Sequence, residues 1–436
     1  MTGQIDDGPR PMTGPRLGQG RPAGPPLRGV RVVLDVRPLQ EPEHSPTTAV
    51  YLEQLLRAFA ADPIAGESFT ILVQAGLPDP TEALDDLTSL PIAGRRALPP
   101  TRLLRSAALT TDPFLLRSAS IGAGWGAAGG GAAGTVYHTA SGSVPLASGL
   151  PVVVTLLDLA PWELPGVYQR TPAARFGQRL RARILRDAAA VVVPGEAASR
   201  SARRHLHLRR ERIRIVPLAA RAAFVPQAAA SAPEERARLG LPERYLVYPG
   251  RYDARQDLPS LLRALADLAA AGRPGALGPD APWPPQVLLV DAAPEDRAAI
   301  ARAASSYGVG ELLSYAPHLP PARLAALVAG ARAAVLAVVS ATSGLPALEA
   351  LAAGTPVVAS SVGALPEIVG RAGLLVEPRD PARLATALAT IWADEAIHRR
   401  VADVALEQAR GPRRTWADVA RETREVHASV VTVSRG

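Results

Sequence analysis

Short apolar runs alternate with amphipathic stretches along most of the chain. Strand-like runs in the first half cover residues 29–36, 69–74, 135–138, 152–157, 189–194 and 213–217, and residues 47–61 have the spacing of an amphipathic helix. The second half starts again with strand-like runs at 245–250, 287–291, 333–339 and 355–360, and with a helix pattern at 258–271. This alternation predicts two parallel sheets with crossover helices, joined near residues 219–243. The predicted class is therefore α/β.

Three segments lack any such pattern. Residues 1–28 are rich in Gly, Pro and Arg, so we predict a disordered tail. Residues 122–134 read GAGWGAAGGGAAG, which predicts a flexible loop with little surface to bury. Residues 272–285 are rich in Pro and Gly and predict a surface loop.

Composition agrees with two globular domains. The chain has 436 residues, 47% hydrophobic and 20% charged, which is enough for two cores of common size. All 48 basic residues are arginines, and the formal net charge is +8. No cysteine is present, so disulfides and thiolate metal sites are excluded. No apolar run is long enough for a membrane span and no signal peptide follows Met1, so we expect a cytoplasmic protein.

The most informative segment for a binding site covers residues 340–378 and reads SATSGLPALEALAAGTPVVASSVGALPEIVGRAGLLVEP. Gly344 interrupts the chain after a strand, and Pro346 suits the first turn of a helix that we expect over 347–353. Free N–H groups at such a helix start, together with the helix dipole, favour an anion. Glu349 on this helix could accept hydrogen bonds from a ribose diol.

This segment closely resembles the donor-binding signature of retaining, nucleotide-sugar-dependent glycosyltransferases of family four, also called group 1. The resemblance extends through GTPVVAS, GALPEIV and AGLLVEP. It implies the GT-B fold, in which two Rossmann-like lobes enclose a cleft and the final helix crosses back to the first lobe. We expect Trp416 to anchor that helix.

The resemblance also implies a division of the chain into regions. The predicted regions are a tail at 1–28, an acceptor lobe at 29–225, a nucleotide-sugar lobe at 226–411 and a returning helix at 412–436. No metal and no cofactor are implied, and the nucleotide sugar would be the donor substrate.

Donor-site residues follow from the same resemblance. The segment YPGRYDARQDLPSLLRAL places Arg251 where the family has an arginine that grips the diphosphate, although a solvated turn arginine is the alternative. Gln256 occupies a lysine position of the family. Gly344, Leu345 and Glu349 complete the implied donor site. Arg255 could replace the missing lysine charge, but as a neighbour it points to a different face.

Other family positions are also changed. Ala341, eight residues before Glu349, replaces the first glutamate of the signature, and Leu157 replaces a histidine near the reacting centre. Asp158 matches the family's aspartate, or it caps the following turn. His138 keeps a family-like position at a strand end, or it is structural.

A further change affects the loop that follows the first strand. The family's paired glycines are replaced by residues 44–48, HSPTT. Thr47 or Thr48 is then predicted to be a helix N-cap.

The changed positions all belong to one small volume, where positive charge and dipoles would stabilise a leaving phosphate. The sequence therefore indicates a glycosyltransferase-family protein that transfers a hexose with retention, with activity that is weak or lost. The alternative is a non-catalytic scaffold, a regulator, or a nucleotide- or carbohydrate-binding partner of an active glycosyltransferase.

Two arginine-rich helical segments, 170–186 and 200–214, favour either a solvated face or a peripheral contact with the inner, anionic membrane face. No nucleic-acid partner is expected, because no aromatic residues interleave these arginines.

Overall fold

The computed structural model describes residues 29–99, 134–140, 144–146, 148–250, 252–275, 277–278 and 281–433. The predicted tail at 1–28, residues 122–133 of the predicted loop, and Arg251 lie outside the described residues.

Two parallel sheets form the framework. The strands of the first sheet are β1 Arg31–Asp35, β2 Ser68–Gln74, β3 Ile92–Leu98, β4 Thr135–Thr139, β5 Val152–Thr155, β6 Ala190–Val193 and β7 Ile213–Ile215. Those of the second are β8 Leu246–Tyr248, β9 Val287–Val290, β10 Leu313–Ala316, β11 Ala333–Leu336, β12 Val357–Ser360 and β13 Gly373–Val376. The orders are β3-β2-β1-β4-β5-β6-β7 and β10-β9-β8-β11-β12-β13, and both orders reverse direction beside the first strand of the sheet.

The helices of the first lobe are α1 Arg37–Gln40, α2 Pro46–Ala61, α3 Ala160–Glu163, α4 Pro165–Tyr168, α5 Pro172–Asp187 and α6 Glu196–Leu206. Those of the second are α7 Ala232–Leu239, α8 Leu258–Ala271, α9 Pro294–Ser306, α10 Pro321–Ala329, α11 Leu345–Ala352, α12 Leu365–Val369, α13 Pro381–Ala393 and α14 Glu395–Arg410. The last helix is α15, Trp416–Val433. Short 3₁₀ turns lie at Pro42–His44, Asp85–Leu87, Arg210–Arg212, Pro226–Ser231 and Gly310–Leu312.

The predicted α/β class and the GT-B layout of two lobes are confirmed. Each strand pair within the two sheets is parallel, as in the register Val32 to Phe69 and Val32 to Val136 around β1. The inner strands of both sheets are almost wholly buried because helices cover both faces of each sheet, which is why these strands read as continuous apolar runs.

The last helix returns to the first lobe as predicted. Trp416 at its start is buried, and its ring meets Tyr51 of α2 edge-on at 6.1 Å between centroids. Further along α15, Arg424 binds the buried Glu67 with both Nε and Nη2, at 2.9 and 2.7 Å. An apolar anchor and a bidentate ion pair therefore fix α15 to the first lobe.

One local prediction was wrong, and one strand was not predicted. Helix α2 begins at Pro46 with Ser45 as N-cap, so neither Thr47 nor Thr48 caps it; proline at the first helical position places the cap one residue before it. Strand β3 was not predicted, because its alternate residues Ala93, Arg95 and Ala97 are exposed. It forms the edge of the first sheet, beside β2.

Candidate functional site

Glycines fix the backbone of the 340–378 segment. Gly344 is the N-cap of α11 with a φ of +60°, and a Cβ there would lie 2.3 Å from Ile368 Cδ1. Gly363 has a φ of +54°, and a Cβ there would lie 2.0 Å from the carbonyl oxygen of Ala341. These two positions require glycine for conformation and for space. Pro346 lies in the first turn of α11, as predicted, but the helix runs from Leu345 to Ala352 and so begins two residues before the predicted start at 347.

Glu349 lies on the buried side of α11 and is paired with Arg221. Arg221 donates from Nε to Oε1 at 2.5 Å and from Nη2 to Oε2 at 2.9 Å, and its guanidinium also lies over the ring of Phe224. Burial raises the pKa of Glu349, and the hydrogen bonds and charge of Arg221 only partly offset this effect. Its assignment to a ribose diol stays a prediction, since both carboxylate oxygens already have a partner.

Gln256 takes part in the backbone framework of the second lobe. The Tyr248 hydroxyl lies 2.9 Å from Gln256 Oε1 and 2.7 Å from the carbonyl oxygen of Ala337. A single antiparallel bridge joins Gln256 to Val338. This amide therefore brings no charge to the cleft.

Arg255 points across to the first lobe, where its Nη1 donates to Asp158 Oδ2 at 2.9 Å. Its Nε also donates to Asp253 Oδ1 at 3.0 Å. Burial alone would lower the pKa of Arg255, but hydrogen bonds to Asp253 and the charges of Asp158 and Asp253 raise it. Asp158 follows β5 and Arg255 follows β8, so the carboxyl edges of the two sheets meet here.

Asp158 also has the capping role that we considered, since its Oδ1 accepts a hydrogen bond from Ala160 N at 2.9 Å. The preceding Leu157 is 4% exposed and packs in the core of the first lobe. Leu345 of the second lobe belongs to the same cluster. Leu157 thus belongs to an apolar cluster that includes residues of both lobes, and it supplies no hydrogen-bonding group.

More polar contacts join the lobes beside the Ala341 position. Thr342 Oγ1 accepts from the backbone N–H of Leu159 at 2.8 Å, and Ser340 Oγ donates to Glu163 Oε2 at 2.5 Å. Farther out, Arg200 Nη2 donates to Glu367 Oε1 at 2.7 Å. In this conformation, first-lobe groups bind the loop that carries the signature.

His138 lies at the end of β4 and is completely buried. Its Nε2 is 2.9 Å from Thr155 Oγ1, and its Nδ1 is 3.2 Å from Nε2 of His427 on α15. Burial lowers the pKa of His138 from 6.5 to about 4, and burial followed by the charges of His138 and Arg424 lowers the pKa of His427 further. Its acceptor-lobe role stays a prediction, because its described contacts are with Thr155 and His427.

Sequence reasoning missed Arg221, Glu163 and Thr342 as site residues. One signal existed for Arg221, which is the only charged residue in the run LAARAAF at 218–224. Glu163 and Thr342 have no comparable signal, because their partners lie on the other lobe.

Comparison with known proteins agrees with this geometry. Residues 243–394 match the sequence profile of the group 1 glycosyl transferases. The chain has the GT-B fold, and this part of its second lobe is similar to the group 1 glycosyl transferases. The match includes Gln256, Ala341 and Glu349, whereas the first lobe lies outside it.

Curated relatives include two D-inositol 3-phosphate glycosyltransferases. The one from a Nocardioides species is 36% identical over 217 residues, which are 47% of this chain and 45% of the relative. The one from Streptomyces avermitilis is 33% identical over 209 residues, 46% of this chain and 43% of the relative. The chain thus spans about half the length of the curated relatives it matches.

Solved structures match nearly the whole chain. Sucrose-phosphate synthase from Thermosynechococcus elongatus is 22% identical with a TM-score of 0.66, covering 93% of this chain and 100% of that one. The Anabaena protein HepE, solved with UDP and glucose, is 16% identical with a TM-score of 0.63, covering 93% of this chain and 100% of that one. These likenesses show the common fold.

Proposed function

We propose that the cleft between the lobes binds a nucleoside diphosphate sugar, and that transfer of the hexose, with retention, is slow or absent. The group 1 domain and the relatives named as glycosyltransferases support the donor class. HepE has also been solved with UDP-glucose, which supports a nucleotide sugar as the class of ligand. The donor base, the sugar and the acceptor are left open.

The observation that carries the proposal is that the described residues at four positions where the two sheets meet bring no unpaired charge. Leu157, Ala341 and Gln256 bring no ionised group, and Arg255 is paired with Asp158 and Asp253. Loss of one group that stabilises the transition state typically costs about 10²–10³ in rate. Three changed positions would reduce turnover far more than they reduce binding, because the rest of the cleft still contacts the nucleotide.

Binding itself would use groups that the lobes retain. The dipole at the start of α11, behind Gly344, favours a phosphate, although the N–H groups of Leu345, Ala347 and Leu348 already have partners in Ser343 and Gly344. Arg255 reaches across the cleft to Asp158, and a diphosphate would compete with Asp158 for its guanidinium. Glu349 would meet a ribose only after its contact with Arg221 rearranged.

A nucleotide screen tests the proposal. Thermal shifts with UDP, GDP, ADP and their sugar conjugates should show stabilisation by one base, and sugar release measured on the same sample should be very slow. Arg255→Ala should remove most of the shift. Arg263→Ala is the matched control, because Arg263 pairs with Asp267 on the exposed side of α8. Absence of any nucleotide shift would contradict the proposal.

A second candidate function is a non-catalytic partner or regulator of an active glycosyltransferase. The observation that favours it is the set of direct contacts between the lobes, such as Thr342 with Leu159 and Ser340 with Glu163. Nucleotide binding with no turnover would indicate a sensor or scaffold. Absence of nucleotide binding, combined with co-purification of a second glycosyltransferase, would indicate a purely structural partner.

A peripheral contact with an anionic membrane on the cytoplasmic side is a further part of the proposal. Helix α5 is rich in arginine and carries Phe176, which is 60% exposed, and the nearby Val167 is 38% exposed. Apolar side chains among arginines favour an anionic bilayer surface. In the described part of the chain, no helix combines the length and the apolar character that a membrane crossing requires. Co-sedimentation with anionic vesicles that weakens in salt would support this contact.

A further inference from the structure

A second cavity lies in the first lobe, between α5 and α6, with α3 and α4 at one end. Its volume is about 260 Å³. Its lining residues are Trp162, Gln169, Gln178, Arg179, Ala182, Arg186, His205 and His207. We call this cavity the α5–α6 pocket.

The α5–α6 pocket extends away from the cleft between the lobes. Arg186 lies near the end of α5, directly before β6, and His205 lies near the end of α6, before β7. These residues are therefore at the edge of the sheet where strands begin. The lobes meet at the opposite edge, where strands end and Asp158 binds Arg255.

The lining is rich in donors and contains no carboxylate. Every lining residue except Ala182 carries a side-chain N–H group. Among the residues that the structure describes, Arg179 has no ion-pair partner. Arg186 uses its Nε on the carbonyl oxygen of Leu206 at 3.1 Å, and its Nη groups have no described partner. The pocket thus carries positive charge that the surrounding protein leaves unpaired.

A buried amide also points into this lining. Gln178 is 4% exposed, and its Oε1 accepts a hydrogen bond from Arg181 Nη1 at 3.3 Å. Its Nε2 has no partner in the described part of the chain. Because Gln178 lines the pocket, a molecule bound there can accept a hydrogen bond from this Nε2.

His207 is held in an uncommon conformation at the end of α6, with a φ of +55°. Left-handed backbone is unfavourable for residues with a Cβ, so most helices end there with glycine. The histidine nevertheless occupies this position and lines the pocket.

We infer that the α5–α6 pocket binds a phosphate group, carried by a small polyol or by a lipid headgroup. Two guanidinium groups can each chelate phosphate oxygens, and the Gln178 and Gln169 amides can donate to the remaining ones. The volume of about 260 Å³ suits a phosphate with a small polar body and excludes a whole nucleotide sugar.

Titration calorimetry with inorganic phosphate and with glycerol 3-phosphate tests the soluble source. We expect saturable binding that Arg179→Ala weakens about tenfold or more, because one charge-assisted contact is lost. Arg183→Ala, an exposed change on the same helix outside the pocket lining, should leave the affinity within about twofold. Arg255→Ala in the cleft should also leave phosphate affinity unchanged.

Vesicles of phosphatidylcholine with and without phosphatidic acid test the lipid source. A lipid phosphate predicts that Arg179→Ala and Phe176→Ser both reduce binding to the phosphatidic acid vesicles. A soluble phosphate predicts that Phe176→Ser leaves glycerol 3-phosphate binding unchanged.

Three results would overturn the inference. The first is no saturable binding of either phosphate source. The second is equal weakening by Arg183→Ala and Arg179→Ala, which would show general attraction to a basic helix. The third is loss of phosphate binding in Arg255→Ala, which would place the phosphate in the cleft. None of these results depends on nucleotide binding, so this test and the nucleotide screen can fail separately.

Discussion

The cleft between the lobes and the α5–α6 pocket both contain arginines, but the arginines of the two regions differ in whether they have acidic partners. In the cleft, Arg255 binds Asp158 and Asp253, and Arg221 binds Glu349. In the pocket, Arg179 has no acidic partner among the described residues. A ligand of the cleft therefore competes with carboxylates of the protein, whereas a ligand of the pocket meets the guanidinium of Arg179 without such competition. The difference indicates that charge in the cleft contributes first to structure and only then to binding.

The largest expected effect tests the pairing of Arg221. Arg221→Ala should lower the free energy of unfolding by about 3–5 kcal/mol, because it leaves the buried Glu349 carboxylate without its partner. Urea unfolding at pH 7 measures this change. Arg179→Ala is the contrasting variant and should change stability by no more than about 0.5 kcal/mol. A loss under about 1 kcal/mol for Arg221→Ala would remove the contrast between the two regions.

The next effect is the pH dependence of stability that the buried pair of His138 and His427 causes. His138 has its pKa lowered from 6.5 to about 4, so the unfolded chain takes up a proton first as pH falls. This difference stabilises the folded state fully above pH 6.5. The stabilisation, about 3 kcal/mol for this one group, is lost as the pH falls towards 4.

Chemical unfolding between pH 8 and pH 4 measures this dependence. The pKa of His427 is also lowered, so His427→Gln should decrease the pH slope by up to one proton. An unchanged slope in His427→Gln would show that the two buried histidines do not govern acid stability.

A moderate effect is expected at the contact between Asp158 and Arg255. If the cleft binds a nucleoside diphosphate through Arg255, Asp158→Asn should tighten binding about threefold, since a competing carboxylate is lost while solvent screens part of the attraction. Fluorescence or calorimetric titration of the best nucleotide measures the change. Asp267→Asn, which removes the acidic partner of Arg263, should not alter the affinity. Weaker binding in Asp158→Asn would show that this carboxylate does not oppose the ligand.

The smallest effect concerns the exposed contact between the lobes. Arg200→Ala removes an ion pair with Glu367 in which the arginine side chain is 65% exposed, so stability should fall by about 0.5 kcal/mol or less. Thermal unfolding measures it. A loss as large as that for Arg221→Ala would mean that exposed and buried pairs are equivalent here.

Local patterns predicted most of the framework. Helix α8 runs from Leu258 to Ala271 as expected, because the apolar spacing and the following Gly272 mark both its face and its end. Strand β3 was missed because it lies at an edge of the sheet. Alternate residues of β3, among them Arg95, are exposed, so the strand has no continuous apolar run. The N-cap of α2 was misplaced because we gave the threonines more weight than the proline before them.

The site could be predicted only in part. The glycine turn and Glu349 lie within one continuous segment, so sequence alone located them. The partner of Glu349 is Arg221, 128 positions earlier, and that of Asp158 is Arg255, 97 positions later. Local periodicity cannot predict pairs that are so far apart in the sequence, because such pairs result from the packing of the two lobes. The α5–α6 pocket likewise depends on the packing of separate helices.

The most direct test measures nucleotide affinity and sugar transfer on the same purified sample. Each of UDP-glucose, GDP-mannose and ADP-glucose would be titrated and then followed for release of free sugar or transfer to added acceptors. The account predicts saturable binding of one donor with turnover far below the range of about 1–10³ s⁻¹ that is usual for enzymes. Transfer within that range by this chain alone would contradict it, since a cleft with Leu157, Ala341 and Gln256 would then suffice for catalysis.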